Sequence, residues 1–227
     1  MITDDITARL TDVRSRVAAA AERAGRSPSG ITLVAVSKTF PDDHIRAAKQ
    51  AGQLDFGESR PQALDARLEA DPPLGVRWHF VGRLQRNKVD LVRGRATLIH
   101  SVDRMSLATA IAEPSAAEGR VQRVLIQVNI SDDPAKGGFS PEETHHAVAA
   151  VREMPGISVQ GLMTIPALDA DPDQAFSRMR SLRDDLRRNF PEVLHLSMGM
   201  SADFESAIRN GATLIRVGTA LFGPREE

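Results

Sequence analysis

A chain of 227 residues is long enough for one domain or two small ones, and its 41% hydrophobic and 26% charged residues are the balance of an ordinary folded protein, which excludes a disordered or fibrous chain. Lys plus Arg number 29 against 30 for Asp plus Glu, so the net charge of -1 offers no overall attraction for nucleic acid or anionic membrane. Absent cysteine removes disulfides, thiolate nucleophiles and cysteine-held metals, and absent tyrosine removes a phenolic acid/base.

The N-terminal MITDDITARLTDVRSRV carries early acids and no apolar leader, and no run of about 18 apolar residues follows, so we expect a cytoplasmic protein that does not enter a membrane. Ile6, Leu10, Val13 and Val17 lie at helical spacing and predict a helix from Thr3 to Ala24, stopped by Gly25, that serves as a lid or cap. ITLVAVS, residues 31–37, is a β-branched apolar run of the kind buried on both faces in a parallel sheet. Pro41 and Asp42 then open a helix that Gly52 closes.

The alternation continues to the end of the chain. Short strands are expected at Leu54–Phe56, Trp78–Val81, Leu98–His100, Val124–Asn129, Val159–Thr164, Leu194–Ser197 and Leu214–Val217. Between them lie amphipathic stretches at Gln62–Ala70, Gln85–Val92, Met105–Ala112, Pro141–Arg152, Asp173–Phe190 and Ala202–Gly211. Eight strand–helix units without a linker or a composition shift predict a single domain over 1–227: an α/β fold of the (β/α)8 TIM-barrel type with an extra N-terminal helix. Such a barrel works at the C-terminal ends of its strands. The polar residues expected there are Ser37, Lys38, Ser59, His79, Ser101, Asn129, Thr164, Ser197, Ser201, Arg216, Gly218 and Thr219.

Lys38 stands out because the chain has four lysines among its 29 cationic residues and places one directly after a buried-looking strand. An amine can lose a proton and attack a carbonyl, which a guanidinium cannot do, although a lysine snorkelling from a strand end has the same sequence appearance. SMGMSAD and RVGTALFG are glycine-containing turns after strands seven and eight, where free N–H groups and Ser201 can cradle a phosphate; two tight turns that need glycine for backbone reasons read the same way. Arg216, between Ile215 and Val217, needs either a buried partner or a place in the barrel mouth. His79 lies in the basic stretch WHFVGRLQRNK and can line the pocket; no compact histidine spacing predicts a metal. His145 and His146, and the runs RSLRDDLRRN and DARLEAD, read as solvated helix faces.

LVAVSKTFP, FGESRPQ, WHFVGRLQRNK, IHSVDR, VLIQVNISDDPAKGGF, GLMTIP and LSMGMSADFESAIRNGATLIRVGTALFG, in this order, resemble the pyridoxal phosphate homeostasis family, which is similar to the N-terminal barrel of alanine racemase. The resemblance covers nearly the whole chain. It implies pyridoxal 5'-phosphate as cofactor, an internal aldimine on Lys38, phosphate contacts from Ser201, Gly218 and Thr219, and Arg216 against the pyridine nitrogen. It implies further lining by Val36, Ser59, His79, Met163 and Met200. Two departures stand out: Ser59 replaces the Asn common after FGE, and the DDPAKGG loop lacks the histidine that many members place after its lysine.

A guanidinium only donates, so a ring nitrogen facing Arg216 stays unprotonated and withdraws electrons weakly. Together with the missing tyrosine, this favours a carrier that buffers or delivers the cofactor, with no catalytic residues, and that meets apo-enzymes transiently. The lack of an obvious exposed apolar helix predicts a monomer. The alternatives are a low-activity racemase or lyase that uses Lys38 as its base, with His79 or water opposite, and a cofactor-free Schiff-base aldolase.

Overall fold

In the computed structural model, which describes residues 2–70 and 75–224, eight parallel strands close into a barrel in chain order. The single-domain expectation of 1–227 also spans residues 1, 71–74 and 225–227, which lie outside the described residues. The strands are β1 (Thr32–Val36), β2 (Asp55–Glu58), β3 (Arg77–Phe80), β4 (Leu98–Val102), β5 (Gln122–Gln127), β6 (Ile157–Met163), β7 (His195–Ser197) and β8 (Leu214–Val217). The barrel closes where β1 pairs with β8, Val34 standing opposite Arg216.

Strand alternation sorts the side chains into two layers. Val34, Leu98, Leu125, Met163 and Leu214 form a small cluster of their own inside the barrel. Their chain neighbours Ala35, Ile99, Ile126, Leu162 and Ile215 belong to the main core between strands and helices. By the same two-residue period Val36, Asp55, His79, His100, Ser197 and Arg216 face the interior. Gly57 has the same parity, and a Cβ there would stand 3.1 Å from Val34 Cγ1.

The helices are α1 (Ile2–Arg23), α2 (Asp42–Gln50), α3 (Pro61–Ala70), α4 (Met105–Ala117), α5 (Pro141–Arg152), α6 (Pro172–Leu186), α7 (Phe204–Arg209) and the single turn α8 (Thr219–Phe222). α5 begins where its sequence dictates: Ser140 caps it, its side chain accepting from the Glu143 N–H while Glu143 reaches back to the Ser140 N–H, and Pro141 occupies the first turn.

The structure changes several expectations. α1 is not a lid or cap. It lies on the barrel's flank against α2, α7 and α8, its Ile6, Leu10, Val13 and Val17 buried in the main core. Arg14 donates to the carbonyls of Ala51 and Gly52, and Arg16 pairs with Glu205, so α1 takes the outer-ring place that the short α8 leaves open. The stretch Gln85–Val92 forms a 3-10 turn, Arg86–Leu91, rather than an α-helix; so few residues between the buried Leu84 and Val92 do not repay helix nucleation. α7 starts at Phe204 rather than Ala202, because Asp203 closes a turn back onto Met200. α4 runs past Ala112 through Pro114 to Ala117, and α6 stops at Leu186, short of Phe190.

Candidate functional site

The site begins at the turn after β1. The Phe40 N–H donates to the Ser37 carbonyl at 3.1 Å, which places Lys38 and Thr39 in the two corner positions of a tight turn. Thr39 has φ +72°, a left-handed conformation that a β-branched residue seldom adopts, and it needs support. Arg67 of α3 supplies it. Its Nη2 donates to the carbonyls of Ser37 (3.2 Å) and Phe40 (2.7 Å), its Nη1 to Asp42 (2.6 Å), and its Nε to Glu58 (2.9 Å). Glu58, 1% exposed, also accepts from the Ser59 N–H at 3.2 Å. Neither Arg67 nor Glu58 figured among the sequence candidates. FGESRPQ contains Glu58, while Arg67 lies in DARLEAD, whose expected solvated face does not hold at this residue: its side chain is mostly buried, drawn inward by Glu58 and the Ser37 and Phe40 carbonyls.

The last two loops meet across the barrel mouth. Gly199, with φ +90° and packed against Ala207 and Phe204, turns the chain after β7 so that Ser201 reaches the end of β8. Ser201 Oγ accepts from the N–H groups of Gly218 and Ala220, each at 3.3 Å. Its own proton remains for a further acceptor.

Arg216 is 5% exposed. Its Nη1 donates to Ser197 Oγ at 2.7 Å and its Nη2 to the Thr164 carbonyl at 2.9 Å. Among the described residues no carboxylate lies within ion-pair distance of it, and burial lowers its pKa to about 10 despite the field of Asp203. It is both buried and aimed at the mouth, which satisfies the two possibilities its sequence position left open.

One cavity of about 490 Å³ joins these parts, a size usual for a cofactor or small-molecule site. Lys38, Ser201, Arg216, Gly218 and Thr219 line it with Val36, Ser59 and Met200, and Phe40, Val81, Gly82, Arg83, Ile165 and Ala202 complete the wall. Gly82 is obligatory there: a Cβ would stand 2.0 Å from the Ser59 carbonyl oxygen.

His79 and Met163 are not among the lining residues, contrary to the expectation. Both are buried in the barrel interior, Met163 in the inner apolar cluster and His79 between His100 (3.0 Å) and Asp55 (3.0 Å). The other strand-end candidates serve the frame. Thr164 Oγ1 donates to the Val128 carbonyl, Asn129 holds Asp133 in the following loop, and the Ser101 hydroxyl is buried without a hydrogen-bond partner among the described residues. A wider hollow of about 650 Å³ adjoins the cavity at Arg83 and gathers Arg86, Lys88 and Arg104, so the basic stretch forms a real local patch. Pro61 and Gln62 from the segment after β2 and Arg104 from the loop after β4 also line it, and among the described residues no three His, Asp or Glu side chains are grouped to hold a metal.

Residues 9–226 match the family described as alanine racemase, N-terminal domain. The chain is 44% identical over 222 residues to the pyridoxal phosphate homeostasis protein of Aquifex aeolicus (strain VF5), covering 96% of this chain and 97% of that one. It is 42% identical over 229 residues to the protein of the same name from Escherichia coli (strain K12), covering 98% of each. Among solved structures, PipY of Synechococcus elongatus PCC7942 with PLP bound is similar at a TM-score of 0.84 and 32% identity, covering 96% of this chain and 100% of that one. The chain belongs to the pyridoxal phosphate homeostasis protein family and carries the alanine racemase N-terminal domain over nearly its whole length.

Proposed function

We propose that this chain binds pyridoxal 5'-phosphate, holds it as a Schiff base on Lys38, and serves cofactor homeostasis by buffering or delivery rather than by turning over a substrate. The observation that carries the reading is the make-up of the cavity wall. Lys38 is the single amine among its described lining residues, and the wall holds no imidazole, carboxylate or phenol. An amine can take up an aldehyde, but two-base racemisation at an amino-acid Cα also needs a proton carrier on the opposite face. His79, the sequence candidate for that place, is committed to Asp55 and His100 beneath the floor.

The donor set fits the group. Ser201 Oγ already accepts two backbone N–H bonds, so its proton is available to a phosphate oxygen, and Gly218 and Thr219 begin the adjoining turn. Arg216 presents only donors, which suits a ring nitrogen that accepts. When bound, the cofactor supplies a carbonyl for imine formation and a conjugated ring that withdraws electrons. Arg216 keeps that withdrawal weak, because it gives a hydrogen bond and no proton. The relatives named for this homeostasis role and the PLP-bound PipY support the reading. It extends to a monomeric, cytoplasmic single-domain carrier that hands cofactor to apo-enzymes. No helix among the described residues is long and apolar enough to cross a membrane.

The test is absorbance after desalting, with wild type and Lys38→Ala each mixed with pyridoxal phosphate. A violet-absorbing band retained by wild type alone is expected; no band in either protein points to a cofactor-free aldolase. Exchange of the Cα hydrogen of added amino acids in heavy water separates carrier from racemase or lyase. Rates no faster than those of free cofactor are expected, and lysine-dependent exchange at turnover rates would sink the carrier reading.

A further inference from the structure

Five polar side chains from five strands meet in sequence inside the barrel, below the cavity. Arg216 Nη1 lies 2.7 Å from Ser197 Oγ, Ser197 Oγ 2.8 Å from His100 Nδ1, His100 Nε2 3.0 Å from His79 Nδ1, and His79 Nε2 3.0 Å from Asp55 Oδ1. Arg77 closes the far end, gripping both oxygens of Asp55 at 2.8 and 2.6 Å. The four inner groups from Asp55 to Ser197 are all buried.

The chemistry of the two ends gives this chain one direction. A guanidinium can only donate, so Ser197 Oγ accepts from Arg216 and must send its own proton to His100 Nδ1. His100 then carries its proton on Nε2 and donates to His79 Nδ1, and His79 carries its proton on Nε2 and donates to Asp55. An ionised carboxylate only accepts, so the chain ends there with every donor and acceptor used. The opposite direction puts a proton on His100 Nδ1, and the Ser197 hydroxyl then faces two donors and has no acceptor for its own proton. Burial, reinforced by the positive charge of Arg216, holds His100 well below the usual imidazole range, as a neutral link requires.

We propose that Asp55 is the counter-charge of Arg216, delivered to it through His79, His100 and Ser197, and that this one-way chain makes the three interior residues positioning residues for the guanidinium in the cavity. Buried hydrogen bonds that point the same way polarise one another, so the carboxylate at the start of β2 strengthens Ser197 as an acceptor and fixes the Arg216 fork. Arg216 is thereby kept as a donor towards whatever acceptor sits above it. This rests on the cofactor reading only where that acceptor is taken to be the ring nitrogen.

The first test needs no cofactor. Side-chain 15N NMR of the cofactor-free wild type is expected to show His100 protonated on Nε2 and bare on Nδ1. A wild-type His100 protonated on Nδ1 overturns the direction of the chain. The second test reads the link to the site in the protein loaded with pyridoxal phosphate. Asp55→Asn is expected to move the pH midpoint of the visible band by about half a unit or more, reciprocal coupling being required of any linked pair. His100→Gln, which breaks the chain at its middle, serves the same comparison if Asp55→Asn does not fold. An unmoved midpoint overturns the action of Asp55 on Arg216. A wild type that retains no pyridoxal phosphate defeats the cofactor reading instead, and leaves the NMR test to decide the chain.

Discussion

Arg67 Nε lies 2.9 Å from Glu58 Oε1, and the same guanidinium donates to the two carbonyls, of Ser37 and Phe40, that bracket Lys38. A buried ion pair thus doubles as the clamp on the turn that presents the amine. Replacing Arg67 with Ala leaves Glu58 buried and unpaired, a change that costs about 3–5 kcal/mol in such settings. We expect a lower denaturant midpoint and weaker retention of pyridoxal phosphate. Arg67→Lys keeps the charge but not the fork, and should restore part of the stability and little of the retention. Equilibrium unfolding and gel-filtration retention, measured on both variants, check the two effects separately.

Ser201 gathers two backbone N–H groups and keeps one proton to give. Ser201→Ala should weaken cofactor binding by about 1–3 kcal/mol, roughly 5- to 150-fold, while the far-ultraviolet circular dichroism and thermal midpoint stay near wild type. A titration of cofactor absorbance gives the affinity; equal affinity in both proteins removes Ser201 from the phosphate site.

Arg216→Leu tests the ring-nitrogen assignment. The variant removes a guanidinium that is buried without a carboxylate against it, so the fold should survive, although Ser197 and the Thr164 carbonyl lose their partner. The absorbance of the bound cofactor should change, because its ring nitrogen loses a charged donor. An unchanged spectrum together with unchanged affinity would place Arg216 away from the ring.

Stability should fall on mild acidification. Burial holds His100 well below its ordinary value of 6.5, and burial together with Arg183 lowers His195. Below 6.5 the unfolded chain therefore binds more protons than the folded one, and stability is lost as the pH drops through that value, by at most about 1.4 kcal/mol per unit for each histidine. Asp55 and Asp173 are also depressed, but their contribution is present above 3.8 and disappears only as the pH falls through that lower range. The window from about 6.5 to 5.5 thus belongs to the histidines. Urea midpoints at about pH 7.5 and 5.5 should show a drop in wild type and a smaller one in His100→Gln.

The order of elements and the position of the amine were readable along the chain, because each depends on near neighbours. ITLVAVS is apolar at consecutive positions, as a strand covered on both faces must be, and a residue just beyond such a strand lies at a barrel mouth. The two loops proposed to hold the phosphate were readable for the same reason, since Gly218 and Thr219 follow directly on β8 and Ser201 lies in the short turn after β7. What the stripe on α1 could not disclose is its partner: helical spacing says that one face is buried, not whether against the barrel's end or its flank. His79 showed the same limit. Its strand parity put it inside, but whether it reached the cavity depended on Asp55 and His100, 24 and 21 residues away. The clamp of Arg67 on Ser37 spans 30 residues, and the bond from Arg216 to Ser197 spans 19 across neighbouring strands. Composition and period act through local propensity and burial, so they determined which residues enter the barrel. Closure of the eight strands decided which of them meet, because hydrogen bonds between side chains depend on register and distance that no single segment contains.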